Sequence, residues 1–426
     1  MKKIKVFLLF LIICVTLTGC SSFRLDSIDD LITPVTPGGD DALILKAVND
    51  YCKSGYSVKI PMSGKYTTSF IRYDLTGSGN EEAVAFYEPS NRLGTIEMAV
   101  LVKKNEQWIV ADSVAGDGTD VNSVDFCDLD NDGLVEIIVC WSMISGSTSS
   151  NLCIYKQNKN ENGLSVEAAD DSVKADNFVC ADINGDSFND LLVFTVSDPK
   201  AELYSFSGSG IELIGETKLD STINSFSSII CSRTDEGVSV FADALCTNGS
   251  SMVTELIYWS DYYDSVISPF YSYSTGRTKD TFRNNTAVSR DIDGDGEIEI
   301  PIDKSVSSMP EEITAQDWVS YKNTVLNHKA YSVACEKDGY ILVLDDKLFS
   351  RLKFSYDSEK RELTAKDDKQ EAFRILTVIK SSYDSGKYDN YTEIYSDSGF
   401  VYLAKQNAGS KLSITADDLK NSIKTY

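Results

Sequence analysis

The stretch CDLDNDGLVEIIVC, residues 127–140, puts acidic side chains at alternate positions of a short loop and then runs into an unbroken apolar, β-branched segment. Asp128, Asp130, Asp132 and Glu136 stand at positions 1, 3, 5 and 9 of that loop, and Gly133 permits a sharp turn. Position 7 offers the backbone carbonyl of Leu134. Together these groups make an all-oxygen cage of the kind a hard cation prefers. An EF-hand would need a bidentate Glu at position 12 and a helix on each side, but position 12 is Val139, inside a strand-like run.

The same pattern recurs along the chain. YDLTGSGNEEAVAF (73–86), ADINGDSFNDLLVF (181–194) and RDIDGDGEIEIPI (290–302) begin their loops at Asp74, Asp182 and Asp291. Asp74, Asp128 and Asp182 are spaced 54 residues apart, and the next interval is 109, so a degenerate copy is expected near residue 236. IICSRTDEGVSVFADA (229–244) fills that place: its Cys231 aligns with Cys180, but Arg233 stands where the others have Asp. Apolar runs without helical period bracket each loop, as Ser123–Cys127 with Ile137–Trp141 and Phe178–Ala181 with Leu191–Thr195. Met98–Lys103, Gln107–Val110 and Leu152–Lys156 supply further strands. About fifty residues per unit suits a four-stranded blade, so the expectation is a mainly β chain: a β-propeller of five to seven blades over residues 56–335.

Three loops carry full ligand sets for calcium. These are Asp128, Asp130, Asp132, Leu134 and Glu136; Asp182, Asn184, Asp186, Phe188 and Asp190; and Asp291, Asp293, Asp295, Glu297 and Glu299, with Leu134, Phe188 and Glu297 contributing carbonyls. The first loop offers a fourth, weaker site through Asp74, Thr76, Ser78, Asn80 and Glu82, because hydroxyls replace carboxylates. The fourth copy, with Arg233, is expected to bind none.

These loops resemble the FG-GAP or VCBS-type blades of the integrin-α-like repeat proteins. With IPMSGKYTTSFIRYDLTGSGNEEAVAFY and KDGYILVLDDKLFSRL, the chain is similar to repeat-bearing lipoproteins of clostridia-like gut bacteria. The resemblance implies a calcium-stabilised surface propeller and no defined activity. Ser78 and Arg233 depart from the pattern at the first and fourth loops.

Residues 1–19 read as a lipoprotein signal: Lys2, Lys3 and Lys5, an apolar run from Val6 to Val15 too short to span a bilayer, then Leu17-Thr18-Gly19-Cys20. Cleavage before Cys20 would leave its thiol to take lipid. Residues 20–39 then form a tether, with the protein held at the extracytoplasmic face of the cell membrane. A helix capped by Asp40 is expected within 40–55, its apolar face formed by Leu43, Ile44, Ala47, Val48 and Tyr51. Residues 336–426 read as a small α+β domain with strands at Gly339–Leu344, Leu352–Tyr356 and Ala372–Lys380. A hairpin is expected through Asp397–Gly399, and short helices at Asp346–Arg351 and Ala416–Ile423.

Composition excludes several classes. A formal charge of −25 disfavours nucleic acid as a partner, since phosphate binding needs a basic face. The single histidine, His328, leaves no His-based zinc motif and little room for Ser/His/Asp or Cys/His catalysis, and no Gly-x-Ser-x-Gly elbow occurs. The expectation is a non-enzymatic binding or scaffold module with a protein or glycan ligand. The alternative is a carbohydrate-active enzyme, a polysaccharide lyase or glycosidase, on a propeller scaffold. Tyr258, Trp259, Tyr262 and Tyr263 form a candidate ligand surface, weighed against a place in the core. Cys127, Cys140, Cys153, Cys180 and Cys231 lie in apolar runs and read as buried free thiols.

Overall fold

The computed structural model describes residues 38–143, 150–159, 163–207, 210–407 and 409–426. The signal, Cys20 and nearly all of the tether lie outside the described residues. The chain is mainly β and is built from a succession of antiparallel sheets.

Helix α1 (Gly39–Tyr51) comes first. Asp40 does not cap it: Gly38 occupies the N-cap, and Asp40 instead meets Arg72 and Lys103 at 3.7 and 3.4 Å. Ile44, Ala47 and Val48 are buried as expected, while Leu43 and Tyr51 stay exposed because the covered stripe is narrower than the apolar pattern.

Sheet one contains β1 (Tyr56–Lys59), β2 (Ile71–Tyr73), β3 (Glu82–Pro89), β4 (Glu97–Lys104) and β5 (Gln107–Ala115). Sheet two is the meander β6 (Asp120–Cys127), β7 (Glu136–Ser142), β8 (Ser150–Asn158) and β9 (Ser165–Lys174). Sheet three follows with β10 (Asn177–Ala181), β11 (Asp190–Thr195), β12 (Lys200–Phe206) and β13 (Ile211–Lys218). Sheet four has β14 (Ile223–Thr234), β15 (Gly237–Cys246), β16 (Met252–Ser260) and β17 (Ser265–Ile267). The small ribbon β18 (Tyr271–Ser272) and β19 (Arg277–Thr278) precedes sheet five.

Sheet five joins β20 (Glu299–Asp303), β21 (Thr314–Lys322), β22 (Val325–Cys335) and β23 (Tyr340–Leu344). Helix α2 (Asp346–Arg351) leads to sheet six: β24 (Leu352–Asp357), β25 (Glu362–Asp367), β26 (Gln370–Ile379), β27 (Thr392–Ser396) and β28 (Phe400–Gln406). Helix α3 (Ala416–Ser422) then delivers β29 (Ile423–Thr425) back to β23 in sheet five. The expected boundary at 335/336 therefore falls inside a sheet, because β23 pairs with β22 from Tyr331–Leu344 to Cys335–Tyr340.

The continuous apolar runs have a direct cause: the sheets are stacked, and each central strand is buried on both faces. In β7, Ile137, Val139 and Trp141 pack toward sheet one, while Ile138 and Cys140 pack toward sheet three. In β11, Leu191 and Val193 face sheet two and Leu192 and Phe194 face sheet four. Phe241 of β15 meets Ile300 and Val319 of sheet five, and Val333 of β22 meets Phe354 and Phe373 of sheet six. At the start of the stack, Ala83, Ala85, Tyr87, Leu101 and Trp108 pack under α1.

The chain does not pass directly from sheet four to the last loop. Between sheet four and the last loop, residues 268–289 are held by buried polar groups rather than by a meander. Arg283 is fully buried, with Nη2 2.8 Å from Asp243 Oδ1 and Nη1 2.8 Å from Thr254 Oγ1. Removing either partner of that pair would strand the other charge in a dry site.

Candidate metal loops

Four of the five repeated loops fold alike: the first joins β2 to β3, those of sheets two and three join the first strand to the second, and the last lies between Arg290, bridged to Glu299, and β20. Residues 4 and 6 of each loop take positive φ: Gly77 and Gly79, Asn131 and Gly133, Gly185 and Ser187, Gly294 and Gly296. This double left-handed turn suits Gly and Asn, and Ser187 is the costly exception. The first Asp accepts backbone N–H groups from its own loop, as Gly79 to Asp74 at 2.7 Å, Gly133 to Asp128 at 3.1 Å, Gly185 to Asp182 at 2.8 Å and Gly294 to Asp291 at 2.6 Å. The acid at position 5 accepts from position 7: Leu134 to Asp132 at 2.7 Å, Phe188 to Asp186 and Glu297 to Asp295 at 2.8 Å.

The acid at position 9 opens the strand that follows the loop and is buried. Glu82, Glu136, Asp190 and Glu299 accept the N–H of Leu75, Leu129, Ile183 and Ile292 at 3.0, 2.8, 3.0 and 3.0 Å. Those four partners are themselves buried and sit among the apolar clusters. Burial, followed by neighbouring carboxylates, pushes Glu136 and Glu299 up to about 7. Burial pushes Asp190 up to about 6, and Glu82 and Asp130 are raised by the same cause.

The carboxylates converge in two loops. Oxygens of Asp128, Asp130 and Glu136 lie within 4.8 Å of one another, as do those of Asp291, Asp293 and Asp295 and those of Asp295, Glu297 and Glu299. Asp128 Oδ1, Asp130 Oδ1 and Glu299 Oε1 are buried without a hydrogen-bond partner. Lone buried carboxylate oxygens are costly, so these sites fit a cation that would satisfy them. The third loop differs: Asn184 turns its Nδ2 to Asp186 Oδ2 at 3.0 Å, and among the described residues no group of three carboxylates meets there. In the first loop Thr76 Oγ1 lies 3.4 Å from Glu82 and Ser78 Oγ accepts from Asn80, so both hydroxyls serve the loop itself. At the fourth copy β14 turns directly into β15 through Thr234 and Gly237, leaving Arg233 exposed on the strand.

The loops of sheets one to three lie side by side. Val135 N–H donates to the Leu75 carbonyl, Asn131 Nδ2 to the Ser187 carbonyl and Asn189 Nδ2 to the Asp128 carbonyl, each at 2.9 Å. The fifth loop carries basic neighbours that local spacing could not reveal. Lys329 of β22 binds Asp295 and Glu297, and Lys322 lies 3.6 Å from Glu297.

The aromatic stretch divides. Tyr258 is buried with its hydroxyl 3.1 Å from that of Tyr321, so it belongs to the core, and Trp259 packs partly buried against sheet four's apolar cluster. Tyr262 and Tyr263 are exposed at the β16–β17 turn, edge to face at 4.8 Å. Tyr273 is exposed nearby in sequence, on the ribbon turn. His328 is held between Asp317 and Asp346, with its ring tilted 34° against that of Tyr331 at 4.2 Å.

No protein-family model matches the chain, and no curated protein matches it. Among solved structures, an exotype rhamnogalacturonan lyase aligns over 74% of this chain and 70% of its own, at 12% identity and a TM-score of 0.26. That likeness is too slight to bear on fold or chemistry.

Proposed function

We propose that the chain is a surface-anchored lipoprotein of the FG-GAP or VCBS repeat type, whose stacked sheets act as propeller-like blades stabilised by calcium. It binds or scaffolds a partner and does not turn over a substrate. The observation that carries this reading is the convergence of carboxylates in the blade loops, with oxygens of Asp128, Asp130 and Glu299 buried and unpartnered. Such cages hold a cation in place. They do not present a general acid and a nucleophile to a substrate, and the one imidazole is engaged by two aspartates. Oxygen-only ligands favour calcium over transition metals. The exposed pair Tyr262 and Tyr263 supplies aromatic surface for a protein or glycan ligand.

Extracellular calcium modules bind with dissociation constants of roughly 0.1–1 mM, so at about 1 mM calcium each loop adds about 0.4–1.4 kcal/mol. The test is the calcium-dependent part of the melting temperature in wild type, Asp132→Ala and Arg233→Ala. The increment should shrink in Asp132→Ala and stay unchanged in Arg233→Ala; identical wild-type melting with calcium and with chelator would refute the cation role. Membrane fractionation of Cys20→Ala tests the anchor. Incubation with plant, host and microbial glycans tests the absence of turnover, and calcium-dependent product formation would overturn a pure binding role.

A further inference from the structure

A cleft of about 700 Å³ lies at the junction of sheets five and six, large enough for a small organic molecule. Its walls come from segments far apart in sequence: β22 and β23, helix α2, β26, the stretch before α3, α3 itself and β29. Half-buried Val343, Leu348, Leu412 and Ile414 give it an aliphatic lining, backed by the packed side chains of Phe373 and Leu419. Its charges run against the rest of the chain. Acidic residues outnumber basic ones 65 to 40 overall, yet Lys329, Lys347, Arg351 and Lys424 line the cleft against Asp293, Asp345 and Asp418. Each of those acids accepts a backbone N–H of its own segment: Asp345 from Leu348 and Asp418 from Thr415 at 2.8 Å, and Asp293 from Asp295 at 3.2 Å. Lys329 and Arg351 are also engaged, by Glu297 at 3.0 Å and by Asp367 at 2.6 Å. Lys347 on α2 and Lys424 on β29 are exposed and have no ion-pair partner among the described residues.

We infer that this cleft binds an amphiphilic anion, a small molecule with an aliphatic body and a single carboxylate or phosphate head. The body covers Val343, Leu348, Leu412 and Ile414 and removes their apolar surface from water. The head is met by the ammonium groups of Lys347 and Lys424, which surrender no existing ion pair to receive it. In a chain of formal charge −25, two such cations beside aliphatic surface favour an anionic head and select against neutral and cationic amphiphiles. The site is separate from the exposed Tyr262 and Tyr263, and it does not depend on a cation in the loops.

The experiment is calorimetric titration of the folded full chain in calcium-free buffer with decanoate, decyl phosphate, decanol and decyltrimethylammonium, each below its micelle concentration. The anions should bind one to one, roughly five- to twentyfold tighter than decanol, with the cationic probe weakest. A preference between decanoate and decyl phosphate identifies the head group. Lys347→Gln and Lys424→Gln should each weaken the anions roughly two- to fivefold and leave decanol unchanged. Lys46→Gln, beside the separate groove between α1 and β5, should change nothing. Equal affinity for the anions and decanol, no binding of either anion, or anion affinity unmoved when Lys347→Gln and Lys424→Gln are combined would overturn the inference. The wild-type comparison of head groups decides the matter even if a variant does not fold.

Discussion

Lys329 Nζ lies 3.0 Å from Glu297 Oε2 and also against Asp295, so the fifth loop carries a positive charge supplied by a strand outside the repeat motif. The pair is partly exposed, which limits its worth to about 0.4–1 kcal/mol. Because a cation entering the loop competes with that ammonium for the same oxygens, Lys329→Met should tighten calcium at this loop two- to fivefold, read by calorimetric titration. The calcium-free form should melt slightly lower.

Ser187 holds φ at +75° where the first, second and fifth loops have glycine. Its carbonyl accepts from Asn131 and its N–H donates to Asp182, both backbone contacts that a glycine keeps. Ser187→Gly should therefore stabilise the protein by about 0.5–1 kcal/mol, seen as a higher urea midpoint at constant slope.

Gly116 lies flat against Trp141, and a Cβ added there would come 2.3 Å from the indole. Trp141 has no room to retreat: it is fully buried, donates to Tyr155 Oη at 2.9 Å and meets Phe86 edge to face. Gly116→Ala should cost about 1–3 kcal/mol, read as a lower melting temperature with altered tryptophan emission.

His328 should show stability that falls with rising pH. Burial alone would lower its pKa, but hydrogen bonds to Asp317 and Asp346 outweigh it and raise it above 6.5; Lys304 also lies 3.9 Å from Asp317. A raised folded pKa means the bridge contributes fully below about pH 6.5 and is lost as pH climbs through the folded value. The side chain is partly exposed, so the effect is about 0.3–1 kcal/mol. As the chain's single histidine, its imidazole can be titrated by NMR, and Asp346→Asn should move its pKa down.

The spacing of Asp128, Asp130, Asp132 and Glu136 made the loops legible, because each loop is a local object whose ligands lie within nine residues. The strand–loop–strand order and both C-terminal helices were legible for the same reason. Position 4, with Gly77, Asn131, Gly185 and Gly294 at positive φ, is not marked by the ligand spacing, which singles out only the glycine at position 6 of the second loop. Lys329 could not be found, because the direction in which a strand residue points depends on register with strands far away in sequence. Asp40 looked like a cap because Asp before an apolar stripe usually is one; tertiary partners Arg72 and Lys103 took it instead. Tyr258 and Tyr262 could not be told apart by composition, as only the turn between β16 and β17 decides which ring reaches solvent.

Helix α1 occupies the outer apolar face of sheet one, where Ile44, Ala47 and Val48 cover Ala83, Ala85, Leu101 and Trp108. A further sheet from another molecule would need that same surface to add itself to the row. The helix thus acts as a stopper against end-to-end polymerisation: without it, two molecules could join through their bare first sheets, and the growth of fibres or dimers would be governed by concentration rather than by the length of the gene product.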